Sequence, residues 1–148
     1  MSENVWRIYL SGEIHTDWRE RIIEGSKDLP VEFYSPVTDH ESSDLCGEQI
    51  LGAEELTFWR DRKGASINSI RTNSLIETAD ILVVRFGPKY KQWNAAYDAG
   101  YASALGKPII TLHEEEHDHA LKEVDAAARA TASTPDQVVE ILKYVILK

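Results

Sequence analysis

One carboxylate interrupts a stretch of small and aromatic residues at positions 92–108, QWNAAYDAGYASALGKP. Helical spacing places Asp98 on one face with Ala95 and Ala102, the kind of face that packs against a sheet. A carboxylate in that position is poorly solvated, and the helix dipole favours an anion near the amino-terminal half. The residues therefore predict either a functional carboxylate at a ligand site or a structural ion pair between Asp98 and a buried cation such as Arg85.

Further polar residues follow or open predicted strands. Tyr9 lies near the end of the first strand, and the segment SGEIH at 11–15 comes after it. Ser11 and Gly12 offer backbone N–H groups and room for the close approach of a ligand. Asp80 opens a later strand, where it either contacts a ligand or forms a turn. These positions are the first candidates for a site that acts together with the carboxylate.

The segment HEEEH at 113–117 matches the H-E-x-x-H pattern of zinc metalloproteases. That chemistry needs both histidines one turn apart on a stable helix, whereas His113 directly follows a predicted strand. We therefore interpret the segment as an acidic surface connection and keep a metallopeptidase as a third hypothesis. No Gly-rich dinucleotide motif and no P-loop is present, and we predict no metal or organic cofactor.

Strands and helices alternate along the chain. This alternation predicts a single domain over residues 1–148, a doubly wound parallel α/β sheet of about five strands in a flavodoxin-like order. In such sheets ligands bind beyond the carboxyl ends of the strands at the switch point, here the ends of the first and third strands. Residues 36–47 are predicted as a long polar loop and 48–60 as an irregular helix. The predicted strands cover residues 5–10, 31–35, 80–86, 108–112 and 130–133, and the predicted helices about 17–27, 66–79, 92–105, 119–129 and 134–146.

Composition narrows the classes of function. The formal net charge of −9 argues against a surface for duplex DNA, although a local basic spot can hold a small anionic ligand. Hydrophobic residues make up 43% and charged residues 28%, which is ordinary for a globular domain. Cys46 is the single cysteine, so the chain has no internal disulfide framework. No secretory segment or membrane-spanning apolar run is present, so we expect a cytoplasmic protein with no membrane partner.

Three segments resemble the nucleoside 2-deoxyribosyltransferase superfamily, in this order: IYLSGEIH at 8–15, ETADILVV at 77–84 and NAAYDAGYASALGKPII at 94–110. The whole chain looks like the YtoQ-type branch of that superfamily. The resemblance implies transfer or cleavage at the N-glycosidic bond of a (deoxy)nucleoside or its 5′-monophosphate, through a covalent glycosyl-carboxylate intermediate. It further implies the catalytic residues, with the nucleophile at Asp98, an orienting tyrosine at Tyr9 and the strand aspartate at Asp80.

The chain departs from the superfamily pattern around the nucleophile. Asp98 is one methylene shorter than the usual Glu, and a misplacement of about 1 Å costs on the order of a hundredfold in rate. Lys91 and Gln92 stand where the resemblance places a second acid. These departures support the alternative of a nucleotide-binding or sensing module that has the fold without the chemistry. Arg85 and Lys89 carry positive charge that can bind a 5′-phosphate. The alternative is that Arg85 forms an ion pair and that Lys89 is a solvated surface residue.

The loops that follow the strands provide the predicted substrate side of the site. His40 and Asp44 in the polar loop supply an acid or base or hold a ribose hydroxyl, unless that loop is simply solvated. Tyr90 and Trp93 offer faces on which a base can stack. The resemblance implies at least a homodimer, and a nucleoside or nucleotide rather than a nucleic acid polymer as the partner. The predicted substrate-binding residues are Ser11, Gly12, Glu13, His15, His40, Asp44, Arg85, Gly87, Lys89, Tyr90, Trp93 and Asn94.

Overall fold

A five-stranded sheet forms the centre of the computed structural model, which describes residues 4–148. Its strands are β1 (Trp6–Gly12), β2 (Val31–Tyr34), β3 (Ile81–Arg85), β4 (Ile109–Leu112) and β5 (Ala130–Ala132). They lie in the order β2-β1-β3-β4-β5, and every neighbouring pair runs parallel. This is the flavodoxin-like order, so the predicted fold class is confirmed.

Residues 4–148 contain six α-helices, of which five pack on the two faces of the sheet and the second along the chain packs on the third. They are α1 (Trp18–Gly25), α2 (His40–Leu51), α3 (Thr57–Thr78), α4 (Trp93–Ala104), α5 (Lys122–Ala127) and α6 (Pro135–Leu147), with a short 3₁₀ turn at Glu115–His117. Helices α1 and α6 pack on one face, and α3, α4 and α5 pack on the other. None of these helices is long and apolar enough to cross a lipid bilayer.

Alternating side chains of β1 separate two hydrophobic cores. Ile8 and Leu10 face α1 and α6, where they pack with buried side chains such as Ile22. Tyr9 points to the opposite face and packs in the core that contains Ala99 of α4. The period of two along a strand places the side chain of Ser11 on the same face as Tyr9. The carboxyl end of β1 therefore directs polar side chains toward α4.

The prediction of a polar loop over residues 36–47 is wrong in its second half, because α2 begins at His40. Gly47 packs against α3 so closely that a Cβ there would lie 2.4 Å from the Lys63 Cβ. Helix α3 also begins much earlier than predicted, at Thr57. A polar helix that packs on another helix has the composition of a solvated loop, so the sequence pattern of these residues did not distinguish a helix from a loop. Helices α2 and α3 form a helical hairpin that connects β2 to β3 along the chain.

Candidate active site

Asp98 reaches from α4 to the carboxyl end of β1. Its Oδ2 accepts a hydrogen bond of 2.7 Å from the hydroxyl of Ser11, a fully buried residue. Burial raises the pKa of Asp98 to about 6, and the hydrogen bond from Ser11 opposes that rise. No cation in residues 4–148 forms a salt bridge with this carboxylate. Asp98 is therefore a partly buried acid held by one neutral donor, and it titrates close to neutral pH.

Arg85 does not provide the ion pair that was the structural alternative for Asp98. Its Nη2 lies 2.8 Å from Oε1 of Glu114, in a salt bridge between the end of β3 and the segment after β4. The guanidinium side chain is 9% exposed, so most of it is closed to solvent. The charge of Arg85 is matched by Glu114 in this arrangement, and its role in substrate binding stays a prediction.

Tyr9 supplies a second polar group on the same face of the sheet. Its side chain is fully buried, and its hydroxyl lies near Thr72 but makes no hydrogen bond of normal geometry with the described residues. Burial raises the pKa of Tyr9 to about 12; the nearby Asp98 adds to this rise, and Thr72 and Arg71 on α3 oppose it. A buried hydroxyl without a partner costs about 1–3 kcal/mol. Tyr9 thus remains protonated at neutral pH and is available to donate to a polar group placed beside Asp98.

The loop after β1 is held rigidly by its own side chains. The buried carboxylate of Glu13 accepts hydrogen bonds from the backbone N–H of His15 and the hydroxyl of Thr16. Both carboxylate oxygens are thus bonded within the loop, which gives Glu13 a structural role, and its contact with substrate stays a prediction. Gly12 has a φ of +114°, and a Cβ there would lie 2.1 Å from the carbonyl oxygen of Arg85. Gly12 is therefore required for the close contact between β1 and β3 rather than for a ligand.

The segment after β3 forms the outer side of the site. Gly87 is buried against the Glu13 side chain, where a Cβ would lie 2.5 Å from Cγ, and its N–H donates to Gln92 Oε1 at 3.0 Å. Tyr90 has a φ of +60° and is 74% exposed, and its ring centroid lies 5.0 Å from that of His15. The remaining predicted residues of this segment are exposed: Lys89, Trp93 and Asn94.

Asp80 lies at the opposite edge of the sheet from Asp98. Its carboxylate accepts a 2.8 Å hydrogen bond from the backbone N–H of Arg7, near the start of β1. The register pairs Ile8 with Ile81 and Gly12 with Arg85, so the whole length of β3 separates Asp80 from the carboxyl edge. This position favours the alternative of a turn residue for Asp80 over the predicted catalytic role, because the structure does not bring Asp80 next to Asp98.

His40 and Asp44 pair with each other across one turn of α2. His40 Nε2 lies 3.2 Å from Asp44 Oδ2, and both side chains are exposed. They line a groove of about 550 Å³ between α2 and α3, together with residues that include Arg60 and Asp61. Neither side chain contacts Asp98, Ser11 or Tyr9, so the structure does not bring them to the nucleophile candidate.

The HEEEH segment does not form a zinc-protease helix. His113 directly follows β4 and is buried, and residues 115–117 form only a 3₁₀ turn. The two nitrogens of His113 are already bonded, Nε2 to Asp125 at 2.8 Å and Nδ1 to the Glu114 carbonyl at 2.8 Å. Two groups of side chains here have potential metal-ligand atoms within 4.8 Å of one another, His113 with Asp118 and Asp125, and Glu114 with Glu116 and His117. The arrangement supports the interpretation as an acidic connection.

Arg19 belongs to the site region, although the sequence interpretation did not single it out. Its guanidinium is buried and donates to the backbone carbonyls of Leu10 and Gly12 in β1 and of Glu13 just after it. Arg19 lies three residues before Ile22, whose side chain is in the core, and that helical spacing was the available signal. A charged residue on the inward face of an amphipathic helix needs a buried partner, and here the loop provides it.

The fold and this site together define a flavodoxin-like α/β protein with a partly buried carboxylate at the switch point of its sheet. A family model described as Nucleoside 2-deoxyribosyltransferase YtoQ matches residues 9–146. The chain belongs to this family, which confirms the predicted resemblance. It is 44% identical over 140 residues to the uncharacterized protein YtoQ of Bacillus subtilis (strain 168), covering 93% of this chain and 95% of that protein.

Two solved structures share the architecture. One is of a 2-deoxyribosyltransferase from the psychrotolerant bacterium Bacillus psychrosaccharolyticus, with a TM-score of 0.55, 17% identity and 90% coverage of both chains. The other is a conserved protein from Enterococcus faecalis V583, with a TM-score of 0.61, 14% identity, and coverage of 96% of this chain and 99% of that one. At these identities the likeness shows the fold alone.

Proposed function

We propose that this protein cleaves or exchanges the N-glycosidic bond of a (deoxy)nucleoside or nucleoside 5′-monophosphate, with Asp98 as the nucleophile. The observation that carries the proposal is the hydrogen bond between Ser11 and Asp98 at the carboxyl edge of the sheet. A carboxylate paired with a cation would be a poor nucleophile, whereas this one has a single neutral donor. Membership in the nucleoside 2-deoxyribosyltransferase YtoQ family supports the same reaction class.

The proposed reaction is a double displacement. An oxygen of Asp98 forms a bond to the anomeric carbon while the bond to the base breaks, and the base leaves with its electron pair and takes up a proton. A second base or a water molecule then attacks the same carbon and releases the carboxylate. With a pKa of about 6, roughly nine in ten Asp98 side chains are ionised at pH 7.

Two neighbours of Asp98 have defined roles in this scheme. Ser11 fixes one carboxylate oxygen, so the other oxygen is free to attack. Tyr9 remains protonated and donates to the carboxylate or to a sugar oxygen next to it. Because Asp98 is shorter than Glu, the sugar must approach α4 more closely than it would with Glu at this position.

We also propose that the working form contains at least two copies of the chain, in a compartment such as the cytoplasm. Large apolar side chains remain exposed on the helices around the site, with Ile70 at 70%, Trp93 at 75% and Tyr97 at 64%. Exposed apolar area of this kind marks association surfaces. Light scattering at several concentrations tests this, and a strictly monomeric protein would contradict it.

The second candidate function is a binding module without turnover. The absence of any other carboxylate bonded to Asp98, Ser11 or Tyr9 in residues 4–148 favours it, because a departing base needs a proton donor. This alternative predicts saturable binding of a nucleoside or nucleotide with no release of base.

Chromatographic detection of free base separates the two candidates. The protein is incubated with a panel of nucleosides, 2′-deoxynucleosides and their 5′-monophosphates, with and without a free acceptor base. We expect base release or exchange with at least one class, and none with Asp98→Ala of the same thermal stability. Equal activity in that variant would remove Asp98 from the mechanism, and no release from any substrate would favour the binding module.

A further inference from the structure

The guanidinium of Arg19 holds the backbone on both sides of Ser11. Its Nε donates to the Leu10 carbonyl at 3.1 Å, Nη2 to the Gly12 carbonyl at 3.0 Å and Nη1 to the Glu13 carbonyl at 2.6 Å. All three nitrogens of one side chain are therefore bound to carbonyls of the last residues of β1 and of Glu13, which follows the strand. A planar fork of donors sets the relative position of several acceptors at once.

The cation itself is held without a salt bridge, although the nearby carboxylates of Glu13 and Glu20 favour its charge. Arg19 is 7% exposed and forms no salt bridge with the described residues. It stacks over Trp18 at 4.5 Å from the ring centroid, and the Trp18 indole N–H also donates to the Glu13 carbonyl at 2.7 Å. Burial lowers the pKa of Arg19 to about 10, so the side chain remains charged at neutral pH.

Burial of the Arg19 cation in this way does not favour the stability of the fold. Burying an unpaired cation costs free energy, and an apolar side chain of similar volume at such a position is often neutral or more stable. What the cation provides is a restraint on the end of β1 in addition to its pairing with β3, since the carbonyls that it binds flank Ser11 on either side. Among residues 4–148, the Ser11 hydroxyl is in turn the one hydrogen-bond donor to Asp98.

We propose that Arg19 is a positioning residue for Asp98, acting by fixing the carboxyl end of β1 and Glu13, so that Ser11 keeps its hydrogen bond to the carboxylate. The catalytic meaning of this role rests on the proposed function, whereas the coupling between Arg19 and Asp98 does not. Arg19 binds the carbonyls on both sides of Ser11, and Ser11 binds Asp98.

A double-mutant cycle with a spectroscopic readout tests the coupling. The pKa of the Asp98 carboxyl is measured by 13C NMR without substrate in the wild type, Arg19→Met, Ser11→Ala and the double variant. Loss of the hydrogen bond from Ser11 should raise the Asp98 pKa by about half a pH unit or more, because that bond stabilises the ionised form. We expect Arg19→Met to raise it in the same direction, and the double variant to match Ser11→Ala alone.

Arg21→Met is the matched control. Arg21 lies on the same helix, is exposed, and approaches only Asp136 at 3.7 Å, so its removal should leave the Asp98 pKa unchanged. Arg19→Lys keeps the charge but not the fork, and it gives a second measurement if Arg19→Met does not fold. We expect it to raise the pKa by less than Arg19→Met does.

An unchanged Asp98 pKa in a folded Arg19 variant would overturn the proposal, as would effects of Arg19→Met and Ser11→Ala that simply add. Base release provides the second readout, and we expect about a tenfold loss in either single variant with no further loss in the double. A protein that shows the pKa coupling and releases no base would refute the proposed reaction but not the role of Arg19.

Discussion

Two aspartates at opposite edges of the same sheet have different environments. Asp80 at the amino edge is exposed and accepts a hydrogen bond from the backbone N–H of Arg7. Asp98 at the carboxyl edge is partly buried and accepts one from the hydroxyl of Ser11. The resemblance assigned both to catalysis, yet only Asp98 lies at the switch point.

The difference shows how a parallel sheet separates structural from reactive carboxylates. Every strand has the same direction, so one edge collects strand starts and the other collects strand ends with their loops. Asp80 remains in water and closes a turn between β1 and β3. Asp98 is removed from water by the small residues of α4, and burial raises its pKa to about 6. Position and solvation, rather than residue type, therefore distinguish the two carboxylates.

The sharpest test of this comparison is the pair Asp98→Asn and Asp80→Asn. Asparagine keeps the size of each side chain and removes its nucleophilic oxygen, so we expect base release to fall by about a thousandfold in Asp98→Asn. Asp80→Asn keeps an oxygen that accepts from the N–H of Arg7 and should retain at least half of the wild-type rate. Rates are measured by chromatography of the released base. Comparable losses of base release in both variants would mean that Asp80 contributes to the reaction as much as Asp98 does.

Stability should respond in the opposite sense to activity. The pKa of Asp98 is raised from 3.8 to about 6, so the native state holds a proton more tightly than the unfolded chain, and stability falls as the pH rises through that interval. After allowance for solvent screening this amounts to about 2 kcal/mol above pH 7. Asp98→Asn removes the ionisation and should be more stable by about that amount at pH 7.5, with the difference disappearing near pH 4.

Denaturant unfolding at several pH values measures this difference. Asp136→Asn on α6 is a suitable control, because its side chain is 82% exposed and a change there should alter stability by less than about 0.5 kcal/mol. An Asp98→Asn protein that is less stable than the wild type at pH 7.5 would show that the ionised carboxylate is stabilised by its contacts in the folded protein and not destabilised by burial.

Ser11→Ala tests how much the hydrogen bond from Ser11 contributes to the reactivity of Asp98 at the carboxyl edge. The change removes the only side-chain donor to Asp98 among the described residues and leaves the rest of the loop bonded by Arg19. We expect base release to fall by about tenfold, because the carboxylate loses its orientation while keeping its charge. Ser133→Ala is the control, since Ser133 is exposed at the start of α6. A rate equal to that of the wild type would remove Ser11 from the account.

Much of the fold could be predicted from the sequence, because buried parallel strands such as β3 leave continuous apolar runs. Helix α2 was missed because its polar residues face solvent while contacts through Gly47 hold it on α3. The position of Asp98 followed from helical spacing and the switch-point rule. The structural role of Glu13 did not, because its partners are a backbone N–H and a hydroxyl of its own loop, and no periodicity records them.

If Asp98 forms a covalent bond with the sugar, mass spectrometry of the acid-quenched enzyme will detect the glycosyl group on it. The protein is mixed with a substrate that releases base, quenched within the first turnovers, digested and analysed peptide by peptide. We predict an added mass equal to the glycosyl group on the peptide that contains Asp98, and no such adduct in Asp98→Asn. Base release without any adduct, or an adduct on a different residue, would contradict the account.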